Sequence, residues 1–369
     1  MKIVIFGLTI SSSWGNGHAT LWRGLCKALA RRNHEIVFFE RDVPYYAGAR
    51  DLREWPSGTL VLYPCWEDTR SRAYDEVRSA DAVIVTSYCP DALAAADLLG
   101  GCALNVFYDL DTPVTLARLS GGKSVPYIGS RGLCDFDLVL SYTGGTALAE
   151  LTSRLGARFA APLYGHVDPE VHQPDSPRPH YRSDLSYLGT YSADRQLGLE
   201  SYFIGPARQR PQQRFLIGGA LYPQEFPWAP NIYFVRHLPP SEHAAFFSSS
   251  RLTLNVTRAP MAQMGWCPSG RLFEAAACGV AVLSDDWEGL KHFFSPGSEI
   301  LVARREGDAL AALDLTDAEL ARIGRAARER VLAEHTSERR AIDLVATLET
   351  AQHTRHPSPM EGQSLPVET

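Results

Sequence analysis

The stretch from Cys267 to Asp286, CPSGRLFEAAACGVAVLSDD, constrains the fold of this chain more than any other. Pro268 and Ser269 read as a helix start, Ala275, Ala276 and Ala277 favour helix interior, and Gly279 suits the left-handed position that ends a helix. The apolar run VAVLS that follows reads as a buried strand. Within the helix, Arg271, Glu274, Ala275 and Cys278 fall at i, i+3, i+4 and i+7, with Leu272, Phe273, Ala276 and Ala277 on the other side. The spacing predicts a polar pair facing away from an apolar stripe. Two readings of that pair are open. In the first, Arg271 and Glu274 form an exposed ion pair that contributes little. In the second, the unpaired N–H groups of the first turn act with Ser269, Gly270 and Arg271 to hold a diphosphate, and Glu274, one turn on, accepts from a diol.

The same alternation runs through the rest of the chain. Residues 2–7 read as a strand, 17–32 as a helix and 34–40 as a second strand, a parallel βαβ opening. Its first loop, TISSSWGNGHA, is long and glycine-rich, and such loops lie where ligands bind at the carboxyl ends of strands. Further strands are expected at 59–62, 82–86, 102–108 and 136–141. Between Val167 and Asp184 the chain becomes proline-rich and loses apolar periodicity, as an interdomain crossing does. A second series follows, with strands at 185–188, 214–217, 232–235, 252–256, 280–284 and 300–303. The expected organisation is an α/β fold of two Rossmann-like domains, 1–167 and 185–350, joined by a linker at 168–184. Residues 316–334 and 337–348 read as charged helices, and 351–369 lacks the apolar content to fold.

Composition narrows the partners. With 45% hydrophobic and 21% charged residues the 369-residue chain has the profile of a soluble globular protein long enough for two domains. A net charge of -6 offers no footprint for nucleic acid. No apolar run approaches the ~20 residues of a membrane span. The N-terminal MKIVIFGLTI lacks a cleavage site and flows into a glycine-containing turn, so it reads as a strand rather than a leader. The seven cysteines, Cys26, Cys65, Cys89, Cys102, Cys134, Cys267 and Cys278, are odd in number and scattered, which favours reduced thiols and a cytoplasmic setting.

Four further motifs carry candidate chemistry. GNGHATLWR places His18 at the mouth of the first helix, either as a structural capping residue or facing a ligand that the flanking glycines admit. YDLDTPVTL puts Asp109 and Asp111 after a buried strand; the pair is a divalent-cation motif if both carboxylates face one site, whereas Asp111 alone is a helix N-cap. GTYSADR and LNVTR set Arg195 and Arg258 just beyond strand ends, where the planar guanidinium suits a diphosphate. FERDVPYY either lines a pocket or packs on its own domain. Zinc-protease, nucleophile-elbow and P-loop motifs do not occur, so hydrolase and NTPase readings fall away.

SSWGNGHATLWR with FFERDVPYY, then YDLDTPVTL, then LNVTR followed by PSGRLFEAAACG together resemble the CgeB-like, spore-maturation-type family of GT-B glycosyltransferases, from Ser12 to Asp286. The resemblance implies two Rossmann-like domains facing each other across a cleft. It also implies a nucleotide-diphosphate-sugar donor held mainly by the second domain and an acceptor held by the first. Glu274 would then bind the ribose hydroxyls, with Arg195, Arg258, Ser269, Gly270 and Arg271 around the diphosphate. His18 or Asp111 would face the acceptor as the catalytic group. No metal is expected, and no cofactor beyond the nucleotide-sugar co-substrate. One departure stands out: many such enzymes carry a second Glu eight residues before the ribose-binding one, and Trp266 occupies that position here. The rival expectations are a nucleotide-sugar epimerase on the same architecture, or a non-catalytic sugar-nucleotide-binding or surface-layer assembly protein.

Overall fold

The computed structural model describes residues 1–101 and 103–355. Seven strands, β1 (Lys2–Gly7), β2 (Glu35–Arg41), β3 (Thr59–Tyr63), β4 (Ala82–Thr86), β5 (Leu104–Asp109), β6 (Leu138–Ser141) and β7 (Ala160–Pro162), form a sheet in the order β3-β2-β1-β4-β5-β6-β7. A second sheet holds β8 (Ser183–Leu188), β9 (Phe215–Gly219), β10 (Ile232–Arg236), β11 (Ser250–Asn255), β12 (Ala281–Asp285) and β13 (Leu301–Ala303), ordered β10-β9-β8-β11-β12-β13. Every strand pairing is parallel. Parallel sheets need cover on both faces, which explains why β1, β4, β5 and β6 are largely apolar with almost every residue buried. In each sheet the chain order reverses beside the first strand, between β1 and β4 and again between β8 and β11. Loops at such reversals splay apart and leave a crevice.

The helix at Gly270–Ala277 begins at Ser269 and ends before Gly279, whose φ of 78° is the left-handed value expected of it. Its surroundings differ from expectation. Ala275 and Cys278, placed on the polar side by spacing, are buried, because the helix packs against both the sheet and the helix Asp317–Glu334. The second domain's first helical segment is not one regular α-helix. It is a continuous run from Gln196–Leu199 through a π-turn at Glu200–Ile204 to Gly205–Gln209.

The expected second-domain range of 185–350 and tail of 351–369 require correction at the C-terminus. The last described helix runs Ser337–Arg355 and packs on the first domain. Ala341, Leu344, Leu348 and Ala351 join Leu25, Cys26 and Leu29 of the first helix, Gly17–Arg31, in one apolar cluster. Full burial of a leucine is worth about 1.5–3 kcal/mol, so Leu344 and Leu348 anchor this return crossing. Gln352 donates to the carbonyl of Asp81, and Arg355 donates to the carbonyls of Gly101 and Ala103 and pairs with Asp137 at 3.3 Å. Residues 356–369 of the expected tail lie outside the described residues, as does Cys102. The other six cysteines are free, with Cys26, Cys89, Cys267 and Cys278 buried. Among the described residues no helix is long and apolar enough to cross a membrane.

Candidate active site

Where the carboxyl ends of the two sheets face each other, a cavity of about 370 Å³ opens between the domains. The first domain contributes the loop after β1 and the segment after β5. The second contributes the segments after β8, β9, β10 and β11 and the start of the Gly270–Ala277 helix. All eight candidates line this one cavity: His18, Asp111, Arg195, Arg258, Ser269, Gly270, Arg271 and Glu274. The domains also touch beside it. Trp14 meets His237 with ring centroids 3.9 Å apart, and the Gly144 amide donates to the Trp266 carbonyl at 3.0 Å.

On the second-domain side Ser269 is the helix N-cap, yet its hydroxyl does not close the first turn, so first-turn N–H groups remain without an internal acceptor. Arg271 follows, its guanidinium 5.5 Å from the centre of the Tyr187 ring and its Nη1 buried without a hydrogen-bond partner. Burial holds its pKa below the ordinary arginine value, and Arg195 nearby adds to that. Arg195 donates Nη1–H to the Thr190 carbonyl at 3.2 Å while its Nε stays buried and unpartnered. Arg258 differs, since its Nε–H is engaged by Asp194 at 3.0 Å. Two arginines with unused donors beside a helix N-terminus are an arrangement able to hold an anion. Arg271 and Glu274 form no salt bridge with each other, which removes the exposed ion-pair reading. The Glu274 side chain is only 14% exposed and instead faces two histidines, His172 and His243.

On the first-domain side His18 is the second residue of its helix, and the Asn16 side chain, not His18, caps that helix by accepting from the His18 amide. The imidazole is thus left free of a capping role. Burial lowers its pKa, and the nearby Asp111 carboxylate opposes that in part, so the ring is neutral near pH 7 and able to accept a proton. Asp111 sits at the N-cap position of the helix Thr112–Ser120, but its side chain does not cap; it accepts from the Tyr88 hydroxyl at 2.9 Å. The two carboxylates of the D-x-D therefore part company. Asp109 is fully buried away from the cavity, accepts from the Asp111 amide at 3.1 Å, and has its pKa pushed up to about 6 by desolvation. Asp109 and Asp111 do not present a joint ligand set to the cavity.

FERDVPYY packs on its own domain. The buried Glu40 carboxylate accepts from the Thr9 hydroxyl, the Ile10 and Ser11 amides and the Ser11 hydroxyl at 2.5–2.9 Å, fixing the glycine-rich loop from beneath. Trp266, at the position of the missing Glu, has φ of 50°, a sparsely populated value for a bulky residue. It lies against Gly145, whose own φ of 58° and lack of a Cβ make room for the indole. Sequence reasoning missed His172 and His243. Each is a lone histidine, one in the linker and one at the start of a short helix, and only their convergence on Glu274 distinguishes them.

The paired parallel sheets and the interdomain cavity define a two-domain protein of the GT-B architecture. Residues 195–346, which contain the Gly270–Ala277 helix, match the family model described as "Glycosyl transferase-like". No curated protein matches the sequence. Among solved structures, the chain is similar to the sucrose-phosphate synthase of Thermosynechococcus elongatus, at 15% identity and a TM-score of 0.66 over 95% of this chain and 98% of that one. It is similar to HepE of Anabaena in complex with UDP and glucose, at 12% identity and a TM-score of 0.63 over 95% and 100%. An alpha-glucosyltransferase (AGT) in complex with UDP superposes with a TM-score of 0.69 at 13% identity, covering 95% of this chain and 100% of that one. These likenesses establish the fold.

Proposed function

We propose that this protein is a GT-B glycosyltransferase of the CgeB-like kind, transferring a sugar from a nucleoside-diphosphate-sugar on the second domain to an acceptor held by the first. The observation that carries the reading is Arg271: a buried guanidinium with an unused donor, set beside an uncapped helix N-terminus, with the Glu274 carboxylate one turn away in the same cavity. A buried cation without a partner is costly, and a bound diphosphate removes that cost.

In the bound state the Gly270 and Arg271 amides, Arg271 and Arg195 neutralise the leaving diphosphate as negative charge develops on it. Glu274 accepts from the ribose hydroxyls and sets the register of the nucleotide. Arg258, already engaged by Asp194, supports that arginine cluster. His18, neutral and facing the cavity from the other domain, takes the proton from the acceptor hydroxyl, while Asp111 stabilises the imidazolium that forms. The diphosphate charge is met by protein cations and helix amides, so the transfer step needs no metal and no further cofactor. The free thiols fit a cytoplasmic site of action. UDP is the first nucleotide to try, since HepE and the alpha-glucosyltransferase were solved with it.

Calorimetric titration of UDP and UDP-sugars, with product analysis of any sugar consumed, tests the reading. The expected result is one nucleotide per chain, with binding weakened by Arg271→Ala. Interconversion of donor sugars without an acceptor would point to the epimerase, and binding without turnover to a non-catalytic protein. Absence of binding by any nucleoside diphosphate overturns the proposal.

A further inference from the structure

We propose that His172, His243 and Glu274 form a site for a divalent first-row transition ion of the zinc class, and that this ion and the nucleotide exclude one another at Glu274. The inference builds on the nucleotide reading above and shares Glu274 with it, while His172 and His243 belong to the metal site alone. His172 Nε2 lies 3.9 Å from Glu274 Oε1, and His243 Nδ1 lies 3.9 Å from Oε2. One ligand atom from each residue falls within 4.8 Å of the others. Three separate parts of the chain supply them: the interdomain linker, the helix His243–Ser248 and the helix Gly270–Ala277.

The hydrogen-bond pattern marks these atoms as facing a cation. His243 Nε2 lies 3.4 Å from the Leu238 carbonyl, which assigns the ring proton to Nε2 and leaves the Nδ1 lone pair pointing at a carboxylate oxygen. Two acceptors that face each other with nothing between them repel. The Leu238 carbonyl plays the part that backbone oxygens commonly play behind a metal-bound imidazole. His172 is 3% exposed and neither of its ring nitrogens has a partner, an arrangement that costs free energy unless something fills it. Two imidazoles and one carboxylate are the protein ligands of an open zinc site, with the fourth position left for water or another small ligand. Tetrahedral bonds of about 2.0–2.2 Å set ligand atoms about 3.4 Å apart, so the three side chains, now within 4.8 Å of one another, must draw together by less than an ångström each. Glu274 lines both the main cavity and a second cavity of about 460 Å³ behind it, where His172 lies, so the site has an entry path.

Metal-free full-length protein titrated with CoCl₂ tests the site, with calorimetry and the visible spectrum read together. The expected result is one Co²⁺ per chain with the intense bands of a four-coordinate, imidazole-ligated ion, displaced by ZnCl₂. His172→Gln, His243→Gln and Glu274→Gln should each weaken binding at least 100-fold. ZnCl₂ should raise the apparent Kd for UDP in the unsubstituted protein and leave it unmoved in His172→Gln. Substoichiometric binding, binding untouched by the substitutions, or zinc and UDP bound together without mutual effect would overturn the proposal. If a variant fails to fold, the cobalt spectrum of the unsubstituted protein still decides, since a spectrum of six-coordinate hydrated ion sinks the site. Nucleotide binding without cobalt binding removes the metal site and leaves the transferase reading intact; cobalt binding without nucleotide binding does the reverse.

Discussion

Arg271 lies over the Tyr187 ring, 5.5 Å from its centre, and has no carboxylate partner within salt-bridge range. The aromatic face compensates the charge only in part, because a cation–π contact is worth about 0.5–2 kcal/mol against a larger desolvation cost. Arg271→Met, similar in length and uncharged, is therefore expected to leave the melting temperature unchanged or raise it, while weakening nucleoside diphosphate binding by 100-fold or more. Thermal melts and calorimetry on the same sample check both halves. A marked fall in melting temperature would show that Arg271 has a structural partner.

Glu274→Gln removes a charged acceptor from the cavity and keeps its shape. Hydrogen bonds to a charged group are worth about 1.5–3 kcal/mol, so nucleotide Kd should rise roughly 10- to 100-fold. An affinity within twofold of the starting protein would return Glu274 to a purely structural role.

The pH profile of kcat/KM reports on His18. Its folded pKa lies below 6.5, so the neutral base is present at pH 7 and activity should fall only once pH drops below the usual histidine range. Asp111 raises that pKa by its charge; Asp111→Asn should accordingly shift the acid limb to still lower pH. His18→Gln should cut kcat by about 10²–10⁴ with donor Kd unchanged. An acid limb that stays in place in Asp111→Asn would uncouple the two residues.

Asp109 tests the linkage of burial to stability. Its folded pKa is about 6 against an ordinary 3.8, so the folded state holds more protons than the unfolded state between those values. Stability from this group is full below pH 3.8 and falls as pH rises to about 6, by at most about 3 kcal/mol. Asp109→Asn retains the acceptor for the Asp111 amide and should flatten that part of the stability–pH curve in urea titrations.

Shortening the chain after Ala351 removes the Gln352 and Arg355 contacts to Asp81, Gly101, Ala103 and Asp137. Ending it after Arg355 keeps them. The shorter form should be less stable by about 1–3 kcal/mol, read as a lower urea midpoint. Equal midpoints would mean that the final helical turn contributes nothing.

Local stereochemistry made part of this protein legible from its sequence. Short runs rich in Val and Ile such as KIVIFG and AVIVT read as strands buried on both faces, and Gly279 marks a left-handed stop because other residues meet a Cβ clash there. Alternating strands and helices then dictate parallel sheets, and parallel sheets place ligands beyond their carboxyl ends, which is why His18, Asp111, Arg195, Arg258 and the Ser269–Glu274 turn were all candidates. Spacing along one helix, however, says which residues share a side and nothing about what that side meets. Of the four residues that spacing put on one side, packing against the helix Asp317–Glu334 buried Ala275 and Cys278 and left Arg271 and Glu274 at the cavity. Backbone direction at the end of β5 separated Asp109 from Asp111. The return of the helix Ser337–Arg355 to the first domain, and the meeting of His172 and His243 at one carboxylate, depend on contacts between residues far apart in the chain. Those contacts are decided by which surfaces exclude water together, and only the tertiary structure decides that.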